Sequence, residues 1–370
     1  MPQFPSGKSD FFSLAEANSA DYWFEIRSMW KRCFLICGLL SLAALAGAQH
    51  FGKMSSIKET KIGLVVHGGA GTMERGKMTP EKEREYRGGI ENALRAGWEI
   101  LQRGGSSLDA TEAAVRTFED DPLFNAGKGS VFNAAGINEM DAAIMDGRTL
   151  KAGAVACVQH VKNPISLARL VMEKSPHIVM SAAGAEDFAK QHGVELVDAN
   201  YFFTQDRWDA LQKLKASEKA GGNGDKKFYL SDQDLHGTVG AVALDRNGNL
   251  AAATSTGGKT GKLSGRIGDT PIIGGGTYAN NATCAVSGTG DGEFFIMSTA
   301  THDVSAMMEY GRKSLEEASV AVIKKIGKLG GTGGMIAIDK NGKIALPFNT
   351  SGMYRGYVDA NGKFVTEIYR

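Results

Sequence analysis

The dipeptide Gly237-Thr238 stands where a polar, glycine-rich stretch gives way to a strongly apolar one. A threonine hydroxyl is a weak nucleophile and needs an adjacent base. If the Gly237–Thr238 bond is cut, the new α-amine of Thr238 is that base, because an α-amine titrates at about 7.7–8.0, close to neutral pH. Glycine before the threonine permits the backbone strain that self-cleavage requires. These two residues therefore indicate a nucleophile that carries its own base.

A second hydroxyl is predicted to face Thr238. Asn247-Gly248 separates two apolar runs, 238–244 and 250–256, and Asn-Gly between apolar runs is a strong hairpin signal. The hairpin returns Thr256 to the end of the sheet where Thr238 begins, within hydrogen-bond reach. Threonine is also common in ordinary strands, so the pair favours catalysis more than Thr238 does alone.

Two further glycine-rich segments offer binding chemistry. In the first, Arg266 and Asp269 stand three residues apart among glycines. They form either a surface ion pair or a clamp, in which the guanidinium binds the carboxylate of an α-amino acid and the aspartate accepts from its ammonium.

In the second segment, the glycines between Ser287 and Gly292 expose backbone N–H groups suited to a phosphate or an oxyanion. A plain tight turn is the alternative, and the match to a dinucleotide-binding fingerprint is poor.

An acidic segment, Glu119-Asp120-Asp121, precedes Pro122 at the predicted end of a helix. Negative charge there opposes the helix dipole, and a nearby cation relieves the conflict. A solvated acidic corner is the alternative.

Repeated turns and apolar periodicity predict the elements that position these residues. Asn-Gly turns at 247–248, 341–342 and 361–362 predict three antiparallel hairpins. The strands 238–244 and 250–256 are apolar throughout, so they need cover on both faces. Helices predicted at 302–311 and 313–327 supply some of it, which favours a helix–sheet–sheet–helix arrangement. The polar stretch 214–235 is predicted to be a mobile loop. Further helices are predicted to begin at Thr79, Ser107, Asn163 and Ser181.

Composition limits the function classes. The 370 residues include 42% hydrophobic and 22% charged residues, which is typical of a globular protein. A net charge of +1 argues against nucleic-acid binding as the main function.

The amino end resembles an export signal. Residues 29–32, Met-Trp-Lys-Arg, are a short basic start, 33–46 are almost purely apolar, and 46–48 read Ala-Gly-Ala, a small-residue cleavage pattern. We therefore expect a signal peptide within residues 1–48, with Met29 as an alternative start and an uncleaved anchor as the alternative interpretation. The protein is then exported, to the periplasm or outside the cell.

Cys157 and Cys284 lie beyond this segment, in apolar stretches typical of packing residues rather than a disulfide.

Six ordered motifs give the chain a family resemblance over about residues 60–370. Together they resemble the plant-type L-asparaginases, also called isoaspartyl peptidases, which are N-terminal-nucleophile hydrolases. The motifs are HGGAG at 67–71, PLFNAG at 122–127, GTVGAVALD at 237–245, ATSTGG at 253–258, GRIGD at 265–269 and SGTG at 287–290.

The resemblance implies an α+β fold, a four-layer αββα sandwich, cut between Gly237 and Thr238. The α subunit is then 49–237 and the β subunit 238–370, assembled as (αβ)₂. The implied substrates are L-asparagine and β-aspartyl dipeptides. Thr238 is the implied nucleophile, and Thr256 its hydrogen-bond partner. Thr289 and Gly290 are the implied oxyanion hole. The implied substrate-binding residues are Arg266, Asp269, Asn125, Gly290 and Gly292.

The resemblance also implies a structural sodium ion, although no cofactor is needed for the chemistry. Its ligands are main-chain oxygens of a loop, on Phe118, Glu119, Asp121, Phe124, Ala126 and Lys128. Phe118 and Lys128 differ from the residues usual in the family, but carbonyl ligands survive such changes.

Two alternatives remain open. Glycosylasparaginases share this plan but typically carry Asp before the threonine, whereas this chain has Gly237. A non-catalytic protein that binds amino acids or nucleotides through the same glycine loops is the alternative of another class.

Overall fold

The computed structural model describes residues 62–71, 73–220, 237–359 and 361–370. The predicted export segment and residues 221–235 of the predicted loop lie outside these ranges. Within them, no helix combines the length and the apolar character needed to cross a membrane.

Two sheets organise the described residues. The larger has eight strands, all antiparallel to their neighbours except the last pair. Its strands, by position in the chain, are β1 Gly63–Gly71, β2 Met140–Asp146, β3 Ala152–Val158, β4 Val179–Ser181, β5 Val239–Leu244, β6 Leu250–Thr256, β11 Gly352–Val358 and β12 Phe364–Tyr369. Their order across the sheet is β12-β11-β1-β5-β6-β2-β3-β4.

The smaller sheet has four antiparallel strands in the order β10-β9-β8-β7. They are β7 Thr277–Ala279, β8 Cys284–Gly290, β9 Gly333–Asp339 and β10 Ile344–Ala345.

Helices cover the outer face of each sheet. Those before the proposed cut are α1 Pro80–Gln102, α2 Ser107–Glu119, α3 Pro164–Lys174 and α4 Ala182–Gln191; a further helix, α5 Gln205–Ala220, follows them in the chain. Those after it are α6 Gly292–Ser298, α7 Ala300–Glu309 and α8 Leu315–Lys328. Short 3₁₀ turns occur at Gly127–Gly129 and Ala199–Phe202.

Three apolar cores separate four layers, which confirms the predicted αββα sandwich. The first lies between α1–α3 and the larger sheet, with Ile90, Phe118 and Val239 among its residues. The second lies between the sheets, where Val242 meets Ile336. The third packs α7 and α8 on the smaller sheet. Strands β5 and β6 are buried along their whole length, as their continuous apolar sequences predict.

All three predicted Asn-Gly hairpins are confirmed: β5 pairs with β6, β9 with β10, and β11 with β12. Each turn also begins with an aspartate whose carboxylate accepts N–H groups two and four residues later. The turn glycine has a φ of +77 to +80° in each case, a conformation that glycine adopts without a Cβ penalty. Sequence reasoning used the Asn-Gly pair and overlooked the aspartate, which is Asp245 in the first hairpin.

The predicted helix starts at Thr79, Ser107, Asn163 and Ser181 are confirmed to within one residue. The helices predicted at 302–311 and 313–327 are present but shifted, to α7 Ala300–Glu309 and α8 Leu315–Lys328. A capping box between Ser314 and Glu317 fixes the start of α8.

The predicted mobile loop at 214–235 was wrong for residues 214–220, which continue helix α5. This helix is rich in Ala, Leu, Gln, Lys and Glu, which are strong helix formers. Leu211 is buried, and Leu214 packs against Gly261. The helix was not predicted because the segment was interpreted from its polar composition alone.

The prediction that Cys157 and Cys284 are packing residues is confirmed. Both are buried free thiols.

Candidate active site

The β5–β6 hairpin brings the two predicted hydroxyls together. Thr238 immediately precedes β5 and Thr256 ends β6, and Thr238 Oγ1 donates to Thr256 Oγ1 at 3.2 Å. Thr256 Oγ1 also accepts the N–H of Gly258 at 2.9 Å, which fixes its position. Both threonines are buried, at 7% and 2% exposed. The predicted Thr238–Thr256 contact is confirmed.

Gly237 fits a very tight place. A Cβ on Gly237 would lie 2.6 Å from Thr289 Oγ1 and 2.7 Å from the Cα of Gly69. Gly69, at φ +118°, would itself carry a Cβ only 2.7 Å from the nitrogen of Gly237. Close backbone approach therefore requires glycine at both positions, which adds a packing reason to the conformational one derived from the sequence.

The predicted clamp residues line the same pocket. Arg266, Asp269, Gly237, Thr238, Thr256 and Gly290 all contribute to it. Arg266 is 17% exposed and Asp269 is buried, so the alternative of a surface ion pair is wrong. The Nε and Nη2 groups of Arg266 both donate to Glu293 at 2.9 Å. Glu293, on the first turn of α6, was not predicted.

Asp269 has a carboxylate oxygen that is not used within the described structure. Its Oδ2 atom is buried and without a hydrogen-bond partner in the described structure. Burial raises the pKa of Asp269 to about 6, although the nearby Arg266 acts to lower it. Gly292 packs against both clamp residues: a Cβ there would lie 2.8 Å from Asp269 Oδ1 and 3.0 Å from Arg266 Nη2. The absence of a side chain at Gly292 thus keeps the clamp in place.

The predicted oxyanion segment is held from two sides. On one side the backbone N–H of Ala70 donates to Thr289 Oγ1 at 3.3 Å. On the other, Gly290, at φ +142°, packs so closely that a Cβ would lie 2.3 Å from the Thr332 carbonyl oxygen. The Asp291 carboxylate accepts the N–H and the hydroxyl of Thr332 at 2.8 and 2.9 Å.

Lys259 forms an ion pair with the same segment. Its Nζ lies 2.7 Å from Asp291 Oδ1, and both side chains are less than 20% exposed. Burial acts to raise the pKa of Asp291, but Lys259 and the Thr332 hydrogen bonds hold it below its ordinary value. Lys259, Asp291 and Thr332 line the pocket and were not predicted from the sequence.

Asn125 is hydrogen-bonded to Gly258, one of the residues that line the pocket. Its Nδ2 donates to the Gly258 carbonyl at 2.7 Å, and its Oδ1 accepts the Val131 N–H at 3.0 Å. Its carbonyl accepts the Gly257 N–H at 3.1 Å. Asn125 therefore joins the 118–130 segment to the loop that follows Thr256. A direct contact with substrate stays a prediction.

The predicted solvated acidic corner holds only in part: Asp120 is exposed and Asp121 half-buried, but Glu119 is not solvated. Glu119 is fully buried; its Oε1 accepts from the Ser255 hydroxyl at 2.6 Å and the Ile165 N–H at 3.0 Å. Burial raises the pKa of Glu119 to about 8. The segment then curls on itself, because Gly127 and Gly129 let the chain pass close to the carbonyls of Glu119 and Phe124. A buried arginine, Arg207 of α5, donates to the Leu123 and Gly129 carbonyls at 3.2 and 2.9 Å.

Comparison with known proteins agrees with this arrangement. Residues 60–368 match the family described as asparaginase. The chain belongs to this asparaginase family. The resemblance inferred from six motifs is thereby confirmed, and the matched region contains every element of the pocket.

Several curated relatives of this asparaginase-family chain are similar over nearly their whole length. The isoaspartyl peptidase of Escherichia coli (strain K12) is 49% identical over 310 residues, covering 83% of this chain and 96% of that protein. The isoaspartyl peptidase of Salmonella typhimurium is 48% identical over 308 residues, covering 83% and 98%. The isoaspartyl peptidase/L-asparaginase of Mus musculus is 43% identical over 305 residues, covering 82% and 90%.

Proposed function

We propose that this protein is a self-cleaving amidohydrolase that releases L-aspartate from β-aspartyl dipeptides and L-asparagine. The observation that carries the proposal is the Thr238–Thr256 hydroxyl pair, directly after Gly237 and in one pocket with Arg266 and Asp269. The names of the relatives, isoaspartyl peptidase and isoaspartyl peptidase/L-asparaginase, support this substrate class.

In the proposed reaction, Arg266 binds the substrate's α-carboxylate and Asp269 its α-ammonium. These contacts direct the side-chain carbonyl carbon toward Thr238. The free α-amine of Thr238 takes the hydroxyl proton as Oγ1 attacks, and Thr289 and Gly290 stabilise the negative oxygen that forms. Each such donor is worth about 3–4 kcal/mol in comparable enzymes.

Collapse of the tetrahedral intermediate completes the first half-reaction. The C–N bond breaks, the leaving nitrogen takes the proton from the α-amine, and ammonia or an amino acid departs. Water then attacks the β-aspartyl ester of Thr238 with the α-amine as base. Aspartate leaves, and the hydroxyl regains its proton.

A turnover comparison tests the function. The purified protein is offered L-asparagine, β-aspartyl-leucine and a glycosylated asparagine, and aspartate release is measured together with the N-terminal sequences of the protein. We expect two chains, one beginning Thr-Val-Gly-Ala, and turnover of the first two substrates. Preference for the glycosylated substrate would identify a glycosylasparaginase. A single intact chain that binds ligand without turnover would refute the hydrolase.

Activity should depend on pH through Asp269 as well as through the α-amine. Asp269 accepts from the substrate only as a carboxylate, and burial raises its pKa to about 6. The α-amine is active when neutral, above about 7.7–8.0. Because kcat/KM reports groups of the free enzyme, log(kcat/KM) should fall with slope one below the amine pKa and slope two below pH 6.

Asp269→Asn isolates the second ionisation, since an amide does not titrate in this range. Its kcat/KM should be lower at every pH, and its acid limb should keep slope one. A slope of two in this variant would contradict the assignment of the pH 6 ionisation to Asp269.

We further propose that main-chain oxygens of the 118–128 loop hold a sodium ion. Gly127 and Gly129 bring the chain close against the carbonyls of Glu119, Pro122 and Phe124: a Cβ on either glycine would lie 2.0–2.7 Å from these oxygens. Carbonyl oxygens suit a hard cation. When bound, the ion would fix the loop through Phe118, Glu119, Asp121, Phe124, Ala126 and Lys128.

Exchanging sodium chloride for tetramethylammonium chloride at equal ionic strength should lower the midpoint of thermal unfolding, because a ligand of the native state stabilises it. Restoring sodium should recover the midpoint, whereas an equal concentration of lithium should recover less of it. The same midpoint in all three salts would exclude a structural sodium ion.

Two cellular properties complete the proposal. The signal-like residues 1–48 support export as a proposal. The family resemblance supports an (αβ)₂ assembly. Within one αβ unit, strand β1 of the α part lies between β5 and β11 of the β part, so the two cut halves share one sheet. Analytical ultracentrifugation tests the assembly: a mass of one αβ unit would refute it.

A further inference from the structure

A set of buried polar side chains lies behind the proposed active site, between the two sheets. Ser287 Oγ lies 2.9 Å from His67 Nε2 and 2.8 Å from Thr254 Oγ1. Thr277 Oγ1 lies 2.6 Å from Thr254 Oγ1 and 3.1 Å from the Thr270 carbonyl oxygen. All four side chains are fully buried. We call His67, Thr254, Thr277 and Ser287 the hydroxyl tier.

The strands that position the site residues also form the hydroxyl tier, through residues two positions away from the site residues. Thr254 is two residues before Thr256 on β6, and Ser287 is two residues before Thr289 on β8. Residues two apart on a strand share a face, about 7 Å apart. Gly240, two residues after Thr238, provides the space: a Cβ there would lie 2.1 Å from Ser287 Oγ and 2.4 Å from His67 Nε2. The tier is therefore a second layer beneath the reacting groups.

The tier also joins the two sheets. His67 and Thr254 belong to the larger sheet, and Ser287 and Thr277 to the smaller one. Most of the core between the sheets consists of apolar side chains, which attract without fixed direction. Two further hydrogen bonds also join the sheets, from the Ala70 N–H to Thr289 Oγ1 and from the Ala279 N–H to Met145 Sδ. Hydrogen bonds impose distance and angle. The hydroxyl tier is therefore placed to set how β8 lies against β5 and β6. Strand β8 carries Thr289, β5 begins directly after Thr238, and β6 ends at Thr256.

We propose that Ser287 and Thr254 are positioning residues that align the oxyanion segment with the nucleophile by fixing the register of the two sheets. The proposal rests on the proposed hydrolase function. It concerns residues that line up the reacting groups without touching substrate. Its expected signature is a loss in kcat with little change in KM, because the Arg266 and Asp269 contacts remain.

The chain allows a test that separates hydrogen bonding from packing. Thr254→Val replaces the hydroxyl by a methyl of similar size, whereas Thr254→Ser keeps the hydroxyl and loses the methyl. For β-aspartyl-leucine we expect kcat to fall about 100-fold in Thr254→Val, the scale of a misplacement of about 1 Å, with KM within threefold. Thr254→Ser should retain kcat within about threefold. Ser287→Ala should resemble Thr254→Val.

Matched controls address general destabilisation. Val286→Ala creates a cavity on the other face of β8, in the core beneath α7 and α8. It should lower the midpoint of thermal unfolding without lowering kcat. Ser319→Ala removes a fully buried hydroxyl that bonds within its own helix, and should leave kcat unchanged.

Two readouts keep this inference separate from the proposed function. Wild-type turnover of β-aspartyl-leucine tests the function itself, and the variant-to-wild-type ratio tests the tier. The half-time for conversion of uncut chain needs no added substrate, and it should lengthen in Thr254→Val and Ser287→Ala but not in Val286→Ala. The proposal is overturned if Thr254→Val lowers the unfolding midpoint while kcat and the half-time stay unchanged, or if Thr254→Ser is as impaired as Thr254→Val.

Discussion

Thr238→Ala should run as a single uncut band on a denaturing gel and release no ammonia from asparagine. The substitution removes the hydroxyl that attacks the Gly237 carbonyl and later the substrate. Without the cut there is no free α-amine to act as base. Loss of a covalent nucleophile lowers kcat by factors on the order of 10⁵–10⁶ in comparable enzymes, so turnover should fall to background.

Thr238→Ser provides the informative control, since serine keeps the hydroxyl. It should yield the two chains more slowly and retain measurable turnover. Uncut Thr238→Ala protein that hydrolysed β-aspartyl-leucine at the wild-type rate would show that another residue is the nucleophile. Circular dichroism should show the same fold in both variants, because Thr238 lies outside the strands and contributes one buried hydroxyl.

Arg266→Leu should separate substrate binding from self-cleavage. Loss of one partner of a buried, hydrogen-bonded charge pair costs about 2–5 kcal/mol, so kcat/KM should fall by more than about 30-fold. Most of the loss should appear in KM. The chain should still cut itself, because Arg266 bonds Glu293 and not the Gly237–Thr238 junction. Gel bands and initial rates measure the two effects separately.

Two further variants sharpen this result. Arg266→Lys keeps the charge without the two-pronged guanidinium, and should recover part of the lost kcat/KM. Arg103→Leu removes an arginine that is 81% exposed on the surface and should change nothing. Wild-type kcat/KM in Arg266→Leu would show that the clamp is misassigned.

Sequence reasoning succeeded where the relevant contacts are local. The Thr238–Thr256 contact was predictable because a short turn at Asn247-Gly248 fixes the register of both strands. The layers were predictable because β5 and β6 are apolar throughout and need cover on both faces.

The missed features depend on contacts between distant segments. Glu293 contacts Arg266 across 27 residues, and Ser287 contacts His67 across 220, so neither spacing suggests the contact. The burial of Glu119 was missed because acidic residues are almost always exposed unless paired. The helical residues 214–220 were missed because their polarity was given more weight than their helix propensity.

The close contact of Gly237 with Gly69 has a consequence for how the protein becomes active. In the uncut chain Gly237 lines the cavity that an incoming aspartyl group must enter, and it packs against Gly69 and Thr289 there. We expect the new carboxyl end at Gly237 to narrow this cavity until it moves, so product should first accumulate only after a lag behind the appearance of the two bands.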